Sequence, residues 1–190
     1  MAAPSEVNTK NLSGVFVSDK QLSDSTDELL RLQGMPWFKR RAVSVFTLTL
    51  FVRHYTNDTG VECIDIDQKL SGGIPGGSDN NVLDFQERQY DDDIFGVLTS
   101  KVRRVTDLGE IEDDFLKTGW TEDTLADGLV HVMAWNDPNT SGYKWKAEHT
   151  WGFELIDGQR RHVRRLVLNS SGKKDGPLRV RLVYNYSGKN

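Results

Sequence analysis

One cysteine, Cys63, stands alone among 190 residues, so the chain can form no intrachain disulfide and no cysteine-rich metal site. Long apolar runs are missing too. Nothing approaches the roughly 20 residues a membrane-spanning helix needs. The opening Met-Ala-Ala-Pro-Ser-Glu-Val has no apolar signal-peptide core. The Asn-x-Ser/Thr triplets at Asn11, Asn57, Asn139 and Asn169 are therefore read as chance. Positive charge is not in excess: 24 Lys and Arg against 28 Asp and Glu give a net charge of −4, which argues against a nucleic-acid partner. Also absent are His-x-His, His-Glu-x-x-His, Gly-x-Ser-x-Gly, a P-loop and a dinucleotide fingerprint. Asp65-Ile-Asp67 lacks the glycine and distal glutamate of a calcium loop. These absences predict a cytoplasmic protein with no membrane span, no metal and no cofactor.

What is present is period-two alternation. Residues 144–155 put Trp145, Ala147, His149, Trp151, Phe153 and Leu155 at odd positions. Lys144, Lys146, Glu148, Thr150, Gly152 and Glu154 take the even ones. This predicts a β-strand with one dry aromatic face and one wet face. The same rhythm predicts strands at 12–17, 46–56, 61–69, 82–89, 94–105, 129–135, 161–168 and 178–186. Turns fall at Asn57-Asp-Thr-Gly60, at 137–142 and at Asp157-Gly158. Ser71 to Asn80 reads as a glycine-rich loop. Between the first and second strands, Ser25-Thr-Asp-Glu28 has capping-box spacing ahead of Leu29, Leu30 and Leu32. Gly34 then stops one helix and Pro36 opens another. Residues 1–10 are expected to be a flexible N-terminus. Residues 11–190 form a single barrel domain, interrupted by a partly helical insertion at 106–128 that is expected to serve as an extra lid. Nine or ten strands in meander order close most naturally as an antiparallel up-and-down β-barrel, because closure removes exposed edges.

His149 is the leading candidate for chemistry. It is either a cavity-facing acid/base and hydrogen-bond donor or a core histidine satisfied by a carbonyl. With the hairpin centred near residues 139–140, position 131 falls opposite about 148. His131 is then expected beside His149 on one wall with Met133 and Trp135, although a one-residue slip flips the face. His54 and His162 read as surface histidines. Trp145, Trp151, Phe153 and Trp135 are either core or the lining of an apolar pocket. Trp37 is either a portal residue or a staple for the helices. In Arg160-Arg-His-Val-Arg-Arg165, Arg164 faces away from Arg161 and Arg165. An arginine that points inward needs an anion or hydrogen-bond partners. Arg53, Arg164 and Tyr184 are therefore candidate ligand contacts.

Leu12-Ser-Gly-Val-Phe16, followed by Leu29-Leu-Arg-Leu-Gln-Gly-Met-Pro-Trp37 and the basic pair Lys39-Arg40, resembles the start of the intracellular fatty-acid-binding proteins. These belong with the lipocalins in the calycin superfamily. The resemblance implies a mostly β, calycin-like barrel of about ten strands under an N-terminal helix-turn-helix lid. It also implies binding of a small hydrophobic molecule, such as a fatty acid, polyketide or terpenoid, in the interior. The family's Arg-x-Tyr carboxylate clamp is not matched, because Arg181 and Tyr184 are three residues apart and point to opposite faces. Stretches such as Asp114-Phe-Leu-Lys, Trp151-Gly-Phe153 and Arg181-Leu-Val-Tyr184 also resemble a set of small fungal proteins, some set beside natural-product pathways. That resemblance implies an alternative, a cofactor-free cyclase or isomerase using a cavity histidine, pericyclase-like in kind.

Overall fold

The computed structural model describes residues 1–137, 139 and 142–189. Pro138, Thr140 and Ser141 of the expected 137–142 turn lie outside the described residues. The chain opens with β1 (Gly14–Ser18), α1 (Asp27–Leu32) and α2 (Trp37–Val45). It continues through β2 (Leu48–Thr56), β3 (Glu62–Leu70), β4 (Ile74–Val82), β5 (Arg88–Asp92) and β6 (Gly96–Val105). A short helical pair, α3 (Asp114–Lys117) and α4 (Glu122–Asp127), precedes β7 (Leu129–Asn136), β8 (Trp145–Ile156), β9 (Gln159–Ser170) and β10 (Leu178–Gly188).

The ten strands form one antiparallel sheet in the order β4-β3-β2-β1-β10-β9-β8-β7-β6-β5. This is the expected calycin-like meander, with the first strand joining the last. The sheet curls on itself, and among the described residues no ladder joins β4 to β5. Near one end the gap is stitched by Phe85 N–H donating to Val102 O at 2.8 Å. Local chemistry sets the hairpins. Asn57 Oδ1 accepts from the backbone N–H of Thr59 and of Val61, and Gly60 takes φ +81°. Asp157 and Gly158 both adopt positive φ, which matches the twist of the long β8–β9 pair.

Two sequence expectations change here. Ile74-Pro-Gly-Gly-Ser-Asp-Asn-Asn-Val82, expected as a loop, is strand β4. It lacks β-forming side chains, but it borders the gap and ladders only to β3, where an edge strand tolerates Pro75. Residues 1–10, expected to fray, lie against the barrel. Ala3, Val7 and Thr9 are buried, and Arg160 donates to the carbonyls of Pro4 and Val7.

The apolar interior has two parts. One cluster holds Phe16, Leu50, Val52, Ile64, Ile66, Val102, Val130, Val132, Trp151, Phe153 and Tyr184. It joins side chains from opposite walls of the sheet, so this face is the enclosed one. The second cluster lies under the helices: Leu29 and Leu32 of α1 pack on Leu98, Trp145, Ala147, Leu166, Leu168 and Val180. A third cluster lies outside the barrel. There Ile111, Leu116 and Trp120 cover Val105, Leu129, Val163, Val167 and Val183. The 106–128 segment, expected as an extra lid, is therefore a strap across the outer wall. Thr150 donates to Leu116 O at 2.8 Å, and Phe153 N–H donates to Thr124 Oγ1 at 3.1 Å. Both faces of β8 are consequently dry between 150 and 154, where the sequence predicted one wet face.

Candidate functional site

Register decides which candidates meet. Val132 pairs with His149 and His131 with Thr150. Residues directly opposite across a ladder share a face, so His149 points inward and His131 points outward. The expected histidine pair does not exist. His131 is buried on the outer wall, where its Nε2 lies 2.8 Å from Glu148 Oε1 and Arg103 Nε donates to its Nδ1 at 3.3 Å. Met133 and Trp135 share that outward face, opposite Glu148 and Lys146, and are not part of the interior wall. Arg53 also points outward, paired with Asp65 at 2.5 Å and stacked 4.4 Å from the Tyr55 ring. Trp37 is 72 % exposed on α2 and meets Phe38 edge to face, so it does not reach the interior.

Two histidines expected at the surface are buried. His54 accepts from Leu12 N–H through Nδ1 and lies 2.8 Å from Glu62 through Nε2, at the barrel end away from the helices. Arg104 also binds Glu62, and these partners hold the Glu62 carboxyl down at about 2 despite burial. His162 is inward and fully enclosed between Phe16, Phe153 and Tyr184, with Nδ1 donating to Gly152 O at 3.1 Å. The Arg-x-x-Tyr spacing at 181–184 behaves as its parity requires. Arg181 points outward to Glu154, while Tyr184 points inward.

Inside, His149, Trp145, Trp151, Phe153, Arg164 and Tyr184 lie on the enclosed face. The Arg164 guanidinium stacks 4.1 Å from the Trp151 ring and 5.5 Å from Tyr184, and its Nε donates to His162 Nε2 at 3.4 Å. Burial lowers its pKa, with Tyr184 and Asp79 acting the other way. Asp79 of β4 also faces inward. Gln68 donates to it at 2.9 Å, and burial raises its pKa. Burial, then the charge of Arg164 and the nearby His131, push His149 down to about 3, so the ring is neutral at pH 7. His162 is driven well below its usual value by burial and by Arg164. Asp79 and the inward orientation of Gln68 were missed in the sequence, because their strand read as a loop or their face as wet.

Between the two interior clusters the inward residues are not packed shut. Ser100, Ala134, His149, Arg164 and Leu182 are each only half-buried although they sit mid-strand on the enclosed face. A mid-barrel side chain keeps accessible surface only if it borders open interior space. The indole N–H groups of Trp145 and Trp151 are buried and have no hydrogen-bond partner among the described residues. Among the described residues no cluster of His, Cys, Asp and Glu is arranged to hold a metal ion, and no helix is long and apolar enough to cross a membrane.

The fold is a ten-stranded antiparallel barrel with an N-terminal helix pair, and several solved structures share it. The solved structure of lipid binding protein 8 from Caenorhabditis elegans superimposes with a TM-score of 0.55 at 10 % identity, covering 98 % of this chain and 99 % of that one. The fluorescent protein UnaG gives 0.52 at 15 % identity, covering 92 % and 96 %. Human cRBP IV gives 0.51 at 10 % identity, covering 93 % and 98 %. At such identities the likeness is one of fold. No family model matches the chain. In sequence, it is 30 % identical over 191 residues to pericyclase pydY of an Acremonium species, covering 99 % of this chain and 98 % of that protein. It is 28 % identical over 190 residues to the probable pericyclase scpY of Mollisia scopiformis, covering 98 % and 95 %. The chain belongs to the same family as pericyclase pydY.

Proposed function

We propose that the barrel interior takes up a small, largely apolar and flexible molecule and closes it into a ring by a pericyclic step, with no cofactor. The observation that carries this reading is the lined space between the two apolar clusters, bordered by Trp151, Tyr184, His149 and Arg164. Full-length similarity to pericyclase pydY supports this reaction class. A pericyclic closure moves electron pairs around a ring and needs no proton gained or lost. The interior suits that demand, since His149 and His162 are both held neutral and neither is poised near pH 7 to shuttle a proton. His149 then acts as a neutral hydrogen-bonding group, the second of the cavity-facing roles open to it in the sequence, and not as an acid/base.

Two physical effects drive the rate. Aromatic walls fold the substrate into a reactive conformer, so the entropy of ordering its chain is lost on binding and not at the barrier. A cation or N–H donor aimed at a substrate carbonyl polarises the conjugated system, and one such donor contributes about 3 kcal/mol. A binder that holds its ligand unchanged is the second reading, because the same space serves it.

The test is genetic and then chemical. Removing the gene from its host should leave an uncyclised precursor with the same mass as the missing ring-closed product. The purified protein should convert that precursor with a chelator present and nothing added. Unchanged metabolites would sink both readings. Tight binding of the precursor without conversion would leave the carrier.

A further inference from the structure

Arg164 is the oddest charge in the molecule. Its guanidinium lies deep in the barrel, yet among the described residues no carboxylate comes within ion-pair distance of it. Its one hydrogen bond is the long contact from Nε to neutral His162. By contrast, the buried Arg165, its neighbour in sequence, binds Glu154 at 2.7 Å. A buried charge without a counter-ion costs several kcal/mol. Asp79 is the inward carboxylate that acts on Arg164, and it does so through longer-range attraction alone.

Other unmet donors converge on the same place. Trp151, stacked under the guanidinium, has a buried indole N–H with no acceptor. The Tyr184 ring lies on the guanidinium's other flank, and its hydroxyl has no partner among the described residues. The His149 ring makes no hydrogen bond among the described residues, and it borders the open interior. The wall therefore offers a fixed positive charge and several hydrogen-bond donors with nothing to receive them.

We infer that the interior recognises a ligand with a delocalised oxyanion at one end, either a carboxylate or the enolate of a β-dicarbonyl, and that Arg164 is its counter-ion with Trp151 Nε1 and Tyr184 as further donors. This rests on the interior being the ligand site and names the substrate class for it. The planar guanidinium suits a flat two-oxygen anion, which it binds through parallel N–H bonds. The apolar remainder of the ligand extends toward the cluster under the helices. The site differs from a clamp on the last strand, because Arg164 lies on β9 and Arg181 of β10 is spent on Glu154 outside.

The experiment compares dansylaminoundecanoic acid with its methyl ester at neutral pH, read by energy transfer from the tryptophans. The acid should bind at least about tenfold more tightly than the ester, the size expected of one charge-assisted contact. Arg164→Met should abolish that preference while keeping the ester's affinity, and Arg181→Met should leave the preference intact. Displacement of the dansyl acid by dodecanoate or by a long-chain acyl β-diketone identifies which oxyanion fits. Displacement by neither overturns the inference. Equal binding of acid and ester by the unmodified protein also overturns it and leaves the interior site standing, and this comparison needs no variant to fold. If neither probe binds, the interior reading falls and the inference falls with it.

Discussion

On the outward face of β8 and β9, Arg165 binds Glu154, His131 across the ladder binds Glu148, and Thr150 donates to Leu116 O. On the inward face of the same two strands, Arg164, His149 and the Trp151 N–H find no such partners. Both faces are buried over much of their length, and both carry arginine and histidine. These outer groups are satisfied by carboxylates of β8 and by carbonyls of the 106–128 strap, while Arg161 Nε and Asn185 Oδ1 on the same side are buried without a partner among the described residues. The inner groups border space and keep unmade hydrogen bonds, which the proposed function assigns to a ligand. Burial and residue type alone do not distinguish a structural polar group from a functional one. Whether its hydrogen bonds are already made does distinguish them.

The comparison breaks most sharply at Glu154. This carboxylate is 4 % exposed and serves both Arg165 and Arg181. Glu154→Ala strands Arg165, so unfolding in urea should show a loss of about 3–5 kcal/mol. A loss under 1 kcal/mol would mean the outer network is not the structural half of the pair. Next comes Gly152, whose absent side chain lets the strap close. A Cβ there would meet Thr124 Cγ2 at 2.5 Å and the Trp120 ring at 2.8 Å. Gly152→Ala should therefore destabilise by about 1–3 kcal/mol, again measured in urea.

The inner face answers only through pH. His149 has a folded pKa depressed to about 3 from 6.5, so the unfolded chain binds its proton more readily. Stability from this group is full above about 6.5 and is lost as pH falls toward 3, with a limiting slope of about 1.4 kcal/mol per pH unit. His162 acts with the same sign. Asp79, whose pKa is raised, opposes them as pH climbs above its ordinary 3.8. Glu62 and Asp84, both held near 2, contribute losses only below about 4.5. His149→Leu should thus flatten the stability profile between pH 5 and 6.5 and leave it unchanged at pH 8. An unaltered slope would place the ring in contact with water rather than in a dry wall.

The inward face of the strand at 144–155 was legible from Trp145 to Phe153, because its aromatic alternation is unbroken, whereas Leu155, expected dry, is 67 % exposed. The helix pair was legible from leucine spacing, Gly34 and Pro36. The first helix nonetheless begins at Asp27 without a side-chain cap, and Glu28 turns to Arg31 at 2.7 Å. His131 was misplaced because alternation fixes faces within a strand but not between strands, where a single step in the ladder decides. The strap's effect was invisible for a different reason. Thr150, Gly152 and Glu154 look like a wet face, and only the tertiary arrangement supplies the Leu116 carbonyl, the Trp120 ring and the Arg165 guanidinium that dry it. Strand β4 was hidden by its Pro-Gly-Gly composition, which a one-sided ladder is enough to override.

The unpaired border between β4 and β5 has a mechanical meaning. Widening a closed barrel anywhere else would rupture a column of backbone hydrogen bonds together. Here the circumference lacks a ladder and is held near one end by the connector between the two strands, with Leu83 N–H on Glu62 O and Phe85 N–H on Val102 O, and by the ion pair of Glu62 with Arg104. The vessel is thus built like a cuff buttoned at one end, where opening the other end of the border breaks no ladder.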